Sequence, residues 1–117
     1  MATRPIILVI EVEQPEGLSA RKLVLETAKY NVLTAYSGEE GLQTFDRAPA
    51  DLVVVHSAVQ DIPCESIVEH IKSKMPSLPV VVASPSDSWC TGADFMVSSY
   101  DPAALLQVVQ KIVAKAS

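Results

Sequence analysis

Aromatic side chains are scarce in this chain of 117 residues, where Phe, Trp and Tyr together make up 5 %. Because 49 % of the residues are apolar, a core built from them is aliphatic, filled by Val, Ile, Leu and Ala. Positive charge is short as well. The 9 Lys and Arg are scattered and outnumbered by 14 Asp and Glu, which leaves a net charge of −5. A phosphate backbone is held by clustered cations, so this balance excludes nucleic acid as a direct partner and otherwise reads as ordinary solubility. Cysteine is limited to Cys64 and Cys90, which form no CxxC pattern. That excludes a zinc knuckle or a dithiol motif, and free thiols in a reducing cytoplasm are expected rather than a disulfide. Long hydrophobic runs are missing too. The apolar stretch near the N-terminus, Ile6–Ile10, is too short for the apolar region of a signal peptide and far too short to cross a bilayer. A cytoplasmic protein without membrane contact is expected. No internal repeat, linker or low-complexity tract interrupts the chain, and its length suits a single domain over 1–117.

The apolar residues that are present fall into short β-branched runs: Ile6-Ile7-Leu8-Val9-Ile10, Leu52-Val53-Val54-Val55 and Val80-Val81-Val82-Ala83. Runs of this kind, without alternation, mark strands buried on both faces, as in a parallel sheet. Weaker strand signals lie at 32–36 and 95–97. Helical patterns separate them. Over 18–30, Leu18, Leu25 and Ala28 form an apolar stripe, with Arg21, Lys22, Glu26 and Lys29 assigned to the polar side. Ser37 and Glu40 have capping-box spacing at the start of a second helix, and Pro49 stops it. A third helix is expected over 65–75, with Ile67, Val68 and Ile71 inward and Pro76 at its end. The last opens on Asp101-Pro102, a cap followed by proline at the first helical position. Its stripe of Leu105, Leu106, Val109, Ile112 and Val113 is expected to be core. Alternating strands and helices predict a doubly wound α/β sandwich with right-handed crossovers. One unit is incomplete, because 84–94 has loop chemistry with room for one or two helical turns.

Function in open α/β sheets gathers at the carboxyl ends of the strands. There the sequence resembles the response-regulator receiver (CheY-like) family over nearly its whole length. The matching stretches are Ile-Leu-Val-Ile-Glu-Val-Glu at 7–13, Thr-Ala-Tyr-Ser-Gly-Glu-Glu-Gly-Leu at 34–42 and Asp-Leu-Val-Val-Val-His at 51–56. Two more are Leu-Pro-Val-Val-Val-Ala-Ser at 78–84 and Gly-Ala-Asp-Phe-Met-Val-Ser-Ser-Tyr-Asp-Pro at 92–102. The resemblance implies a flavodoxin-like, five-stranded parallel sheet of order 2-1-3-4-5, with the fourth helix shortened or replaced by a loop.

A working receiver needs an acceptor aspartate, acidic residues for Mg²⁺, a Ser or Thr, and a Lys. The carboxylate attacks the phosphoryl group, the metal neutralises the transferring oxygens, and the hydroxyl and ammonium hold the product. Carried over by position, the acceptor falls on His56, the hydroxyl on Ser84, the Lys on Ser98, the proline after it on Ser99, and the switch aromatic on Phe95. The acidic pair falls on Glu11 and Val12, or on Val12 and Glu13 if the register shifts; either way one member is apolar. A degenerate site follows, with no catalytic residue, no resident metal and weak or absent Mg²⁺ binding.

Several residues carry competing readings. His56 could accept a phosphoryl group, or ligate a metal with Glu11, Glu13, Cys64 or Cys90. The favoured reading is that it fills the vacated acidic pocket and hydrogen-bonds Glu11 or Ser84. Asp61, five residues on, reads as a turn-former or solvated charge, and His70 as a surface residue. Trp89 either covers sheet surface left bare by the missing helix or anchors a partner. In the family, the face of the fourth helix, fifth strand and last helix commonly mediates dimers; here it must be rebuilt, so a monomer or a non-standard dimer is expected. The expected function is non-enzymatic: a pseudo-receiver of two-component type that binds a signalling protein independently of phosphorylation, through a surface around Trp89, Phe95 and Tyr100. The alternative is phosphotransfer, or ligand or metal sensing, centred on His56.

Overall fold

Each of the three continuous apolar runs becomes an interior strand. In the computed structural model, which describes residues 4–12, 19–86 and 90–116, these are β1 (Ile6–Ile10), β3 (Leu52–His56) and β4 (Val80–Ser84). Edge strands β2 (Asn31–Ala35) and β5 (Phe95–Ser98) complete a parallel sheet of order β2-β1-β3-β4-β5. Alternation of side chains across the pleat divides the core in two. Leu8, Ile10, Val53, Val55, Val80 and Val82 face one layer, formed by α2 (Gly38–Arg47) and α3 (Cys64–Lys74), and meet Phe45, Ile67, Val68 and Ile71. Ile7, Val9, Leu52, Val54 and Val81 face α1 (Ala20–Thr27) and α4 (Pro102–Ala116), and meet Leu25, Leu105 and Val109. Burial on both faces is why these strands lack a polar-apolar alternation in sequence.

The helix caps are those expected at Ser37, whose hydroxyl accepts from the Glu40 N–H at 3.0 Å, and at Asp101, whose carboxylate accepts from the Ala104 N–H at 3.0 Å. α1 is shorter than the 18–30 pattern. Ser19 caps it, accepting from the Lys22 N–H at 3.1 Å, and the chain leaves it through Lys29 at φ 73°; Leu18 lies outside the described residues. Between β4 and β5 no helix is found among the described residues, in line with the loop expected there, of which 87–89 lie outside the described residues. Cys90 and Ala93 pack on the α3 side of the core, and the turn at Gly92 (φ 93°) brings the backbone against Val68.

The expectation of free thiols is overturned. Cys64, the first residue of α3, is disulfide-bonded to Cys90, with Cα atoms 6.1 Å apart. The pairing is invisible in the spacing because 26 residues separate the two, and only the β3-α3-β4 crossover returns the chain to the start of α3. A ligand set for His56 drawing on these two thiols is thereby withdrawn.

Candidate functional site at the strand ends

The register Ile10↔Val55 between β1 and β3 carries Glu11 and His56 to neighbouring positions at the carboxyl edge of the sheet. Glu11 is fully buried and His56 is 7 % exposed. A buried carboxylate needs a counter-charge and filled lone pairs. Both come from α1. The Arg21 guanidinium grips Glu11 with two nitrogens: Nε donates to Oε1, and Nη2 donates to Oε2 at 2.9 Å. The Ser19 hydroxyl donates to Oε1 at 2.9 Å, and the Val12 N–H donates to Oε2 at 3.2 Å. Arg21 Nη1 donates to the Ser99 carbonyl at 2.8 Å, so one side chain ties α1, the end of β1 and the β5-α4 connection together.

This corrects the assignment of Arg21 to the polar side of α1. Arg21 is 5 % exposed, and it lies three residues after Leu18 and four before Leu25, which is the stripe itself. The spacing was the available signal, and the charge obscured it.

His56 does not hydrogen-bond Glu11 or Ser84 as expected. Its Nδ1 accepts from the Ala58 N–H at 3.0 Å, which assigns the ring proton to Nε2. Among the described residues Nε2 has no hydrogen-bond partner. Burial, followed by the Arg21 charge, pushes the His56 pKa below its usual value, against a smaller opposing pull from Glu11. The ring is therefore neutral near pH 7. It borders a cavity of about 590 Å³ shared with Arg21, Leu23, Pro85 and Tyr100.

The other positions divide. Ser84 is buried at the end of β4, and its hydroxyl accepts from the Ser86 N–H at 3.3 Å. Ser98 is exposed at the end of β5, and its hydroxyl accepts from the Tyr100 N–H at 3.1 Å. Val12 lines a second cavity, of about 380 Å³, with Glu11, Tyr36 and Asp61. Glu13 and Trp89 lie outside the described residues. Phe95 and Tyr100, expected on one surface, are separated by the length of β5. Phe95, 43 % exposed, sits at its amino end beside Lys72, Pro76 and Ile112, whereas Tyr100, 80 % exposed, sits at the His56 end.

Asp61 was passed over in the sequence. Its two carboxylate oxygens accept from the N–H groups of Gly38 at 2.8 Å and Glu39 at 2.9 Å, the first turn of α2. These bonds hold its pKa below the usual carboxylate value. A cap delivered from 22 or 23 residues away leaves no local motif. His70 is only partly exposed; its Nε2 lies 3.1 Å from Asp46, and its ring meets the Phe45 ring edge-on.

No family model matches the chain. The transcriptional regulatory protein GlrR of Escherichia coli K12 is 29 % identical over 82 residues, 70 % of this chain, and QseF of Escherichia coli O157:H7 matches to the same extent. The match spans 18 % of the length of each regulator. Among solved structures, the chain superposes on the chemotaxis response regulator CheY4 of Vibrio cholerae with a TM-score of 0.82 at 19 % identity, covering 94 % of this chain and 99 % of the other. A CheY-like receiver domain from Methanospirillum hungatei gives 0.85 at 19 % identity, covering 97 % and 96 %. The response regulator TrrA of Thermotoga maritima, in complex with Mg²⁺ and BeF, gives 0.77 at 25 % identity, covering 92 % and 98 %. The fold is that of the CheY-like receiver domains.

Proposed function

We propose that this receiver-fold chain is a non-catalytic pseudo-receiver of a two-component system, acting by protein-protein contact independent of phosphorylation. The observation that carries the reading is the Arg21 guanidinium on Glu11 and the Ser99 carbonyl. A positive charge already neutralises the acidic end of the site, and unlike Mg²⁺ it is covalently part of the chain. The residues do not fit a magnesium ion: both Glu11 oxygens are engaged, and Val12 and His56 stand where further carboxylates would be needed. Nor does His56 offer a free lone pair for phosphoryl transfer, since Nδ1 is occupied by the Ala58 N–H and Nε2 carries the proton. Ser98 supplies no cation to hold a phosphoryl group.

The partner is a signalling protein. Tyr100 and half-exposed Leu23, which border the His56 cavity, form the candidate contact surface; Phe95 belongs to a different one. The same cavity, with an unpartnered imidazole N–H at its wall, favours ligand sensing as the second reading.

Amide NMR spectra of the wild-type chain, with and without Mg²⁺ and phosphoramidate, test the proposal, because this donor modifies both His and Asp. Peaks for residues around His56, Glu11 and Ser84 are expected to stay in place. Shifts centred on them would mean that the site still handles phosphate or metal. The variant His56→Asp is expected to give no stable phosphorylated form, and Mg²⁺-dependent accumulation of one would sink the reading.

A further inference from the structure

We propose that Cys64 and Cys90 form a thiol-disulfide exchange site that takes a dithiol reductant, and that its opening frees the β4-β5 connection. The inference rests on where the two sulfurs lie and is independent of how the phosphorylation site is read. Cys64 and Cys90 are 8 % and 2 % exposed, yet both line a cavity of about 340 Å³ with Pro63, Glu65, Pro85 and Ser86. That cavity is the route by which a small thiol would approach the bond without unfolding of the core.

The two sulfurs are not equivalent. Cys64 opens the 11-residue helix α3, and Pro63 before it supplies no side-chain cap. Uncapped N–H groups and the positive end of the helix favour a thiolate at Cys64, with Glu65 in the same turn opposing. Cys90 lies between β4 and β5, and among the described residues no helix begins at it. Cys64 is therefore the better leaving group. The reductant thiolate attacks Cys90 Sγ, the bond between the cysteines breaks, and Cys64 departs as thiolate. The second thiol of the reductant then attacks its own sulfur in the mixed disulfide and releases Cys90. The protein gains two electrons and two protons as the dithiol becomes a cyclic disulfide.

The bond also stands where it has a structural consequence. It ties α3 covalently to Cys90, in the connection between β4 and β5. Beyond Cys90 that segment is anchored at Asp94, whose Oδ2 accepts from Lys72 Nζ at 2.7 Å and from the Val80 N–H at 2.8 Å. Pro85, on the near side, borders both this cavity and the one beside His56. Cutting the tie loosens a wall shared by the two.

The test is a redox titration of the 117-residue chain at pH 7 with mixtures of reduced and oxidised dithiothreitol, followed by alkylation and intact-mass measurement. Two alkyl groups are expected to be gained together, without denaturant, and the fluorescence of Trp89, the residue before Cys90 and the single Trp, should change at the same midpoint. In single-cysteine variants at pH 7, Cys64 (in C90S) is expected to react with a disulfide reagent about tenfold faster than Cys90 (in C64S). A bond that resists excess dithiothreitol until urea unfolds the chain would overturn the proposal as a purely structural crosslink. A purified chain with two thiols that an oxidant fails to join would overturn it as well. Equal thiol reactivity would remove the assignment of Cys64 as leaving group.

Discussion

Replacing Arg21 by Met keeps an apolar stem like that of the arginine and removes the guanidinium with its charge, which isolates the role of that group. Glu11 is fully buried, and its carboxylate would be left with the Ser19 hydroxyl and the Val12 N–H but no cation. Removing one partner of a buried ion pair costs about 3–5 kcal/mol, because the other charge stays desolvated. The Ser99 carbonyl loses its donor as well, for about 1 kcal/mol more. Against a total stability on the order of 5–15 kcal/mol, that is a large share. With a urea dependence of about 2 kcal/mol per molar, the midpoint of a urea unfolding curve should fall by about 2 M. The paired variant Glu11→Leu/Arg21→Met removes both charges and should recover most of the loss, since an apolar pair of similar volume is often neutral or better. A midpoint for Arg21→Met within about 0.5 M of wild type would refute the reasoning. So would a double variant as unstable as the single one, which would point to packing rather than charge.

Because burial and Arg21 hold the His56 pKa below its usual value of 6.5, the unfolded chain takes up this proton before the folded one. Stability should therefore be insensitive to His56 well above that value, then decline as pH falls through it, by at most about 1.4 kcal/mol per pH unit, and level off below the folded pKa. Urea curves across this range should show His56→Gln lacking that part of the slope; an identical profile would mean that the ring is not held neutral. Asp61→Ala removes the bridge to Gly38 and Glu39 and should lower stability by about 1 kcal/mol, with faster hydrogen exchange in the first turn of α2. Exchange unchanged there would show that Ser37 suffices. A Cβ added at Gly41 would lie 2.5 Å from Ile10 Cδ1 and 2.6 Å from Cγ1, so Gly41→Ala should cost about 1–3 kcal/mol in a urea curve, where an exposed helical glycine would instead gain.

The strands were legible because burial on both faces leaves a simple trace, a β-branched run such as Val80-Val81-Val82. The helix starts at Ser37 and Asp101 were legible because a cap sits next to what it caps. What escaped were interactions whose partners are distant in the chain. Asp61 caps α2 from the start of the next crossover, between β3 and α3. Cys90 returns to Cys64 only after β4 has crossed the sheet. Arg21 was misplaced for a different reason: its charge outweighed its position on the stripe of Leu25, although a buried carboxylate at the adjacent strand end was reason to look for a cation. Phe95 and Tyr100 both belong to the face of the fifth strand and last helix, but β5 sets them at its opposite ends, about 3.3 Å apart for every residue.

These misses converge on one physical point. A diffusible Mg²⁺ allows a site to exist in a charged and a neutralised state, and a phosphoryl group can bias the balance between them. Arg21 takes that freedom away: it is held by a bidentate pair and a backbone carbonyl, and it leaves only if α1 or the β5-α4 connection moves with it. On the function proposed above, a change of state in this chain would begin away from the strand-end site that Arg21 occupies. The β4-β5 connection is where the fold can supply one, since it shows no helix among its described residues and is tied to α3 through a bond that chemistry can open. Pro85 borders both the cavity at the disulfide and the one beside His56 and Tyr100, so an effect of opening the bond would pass there. If that coupling operates, reduction should alter hydrogen exchange at Ala58 and Tyr100 in the wild type and leave Arg21's hold on Glu11 intact. If only residues 85–94 respond, the exchange site and the contact surface are energetically separate.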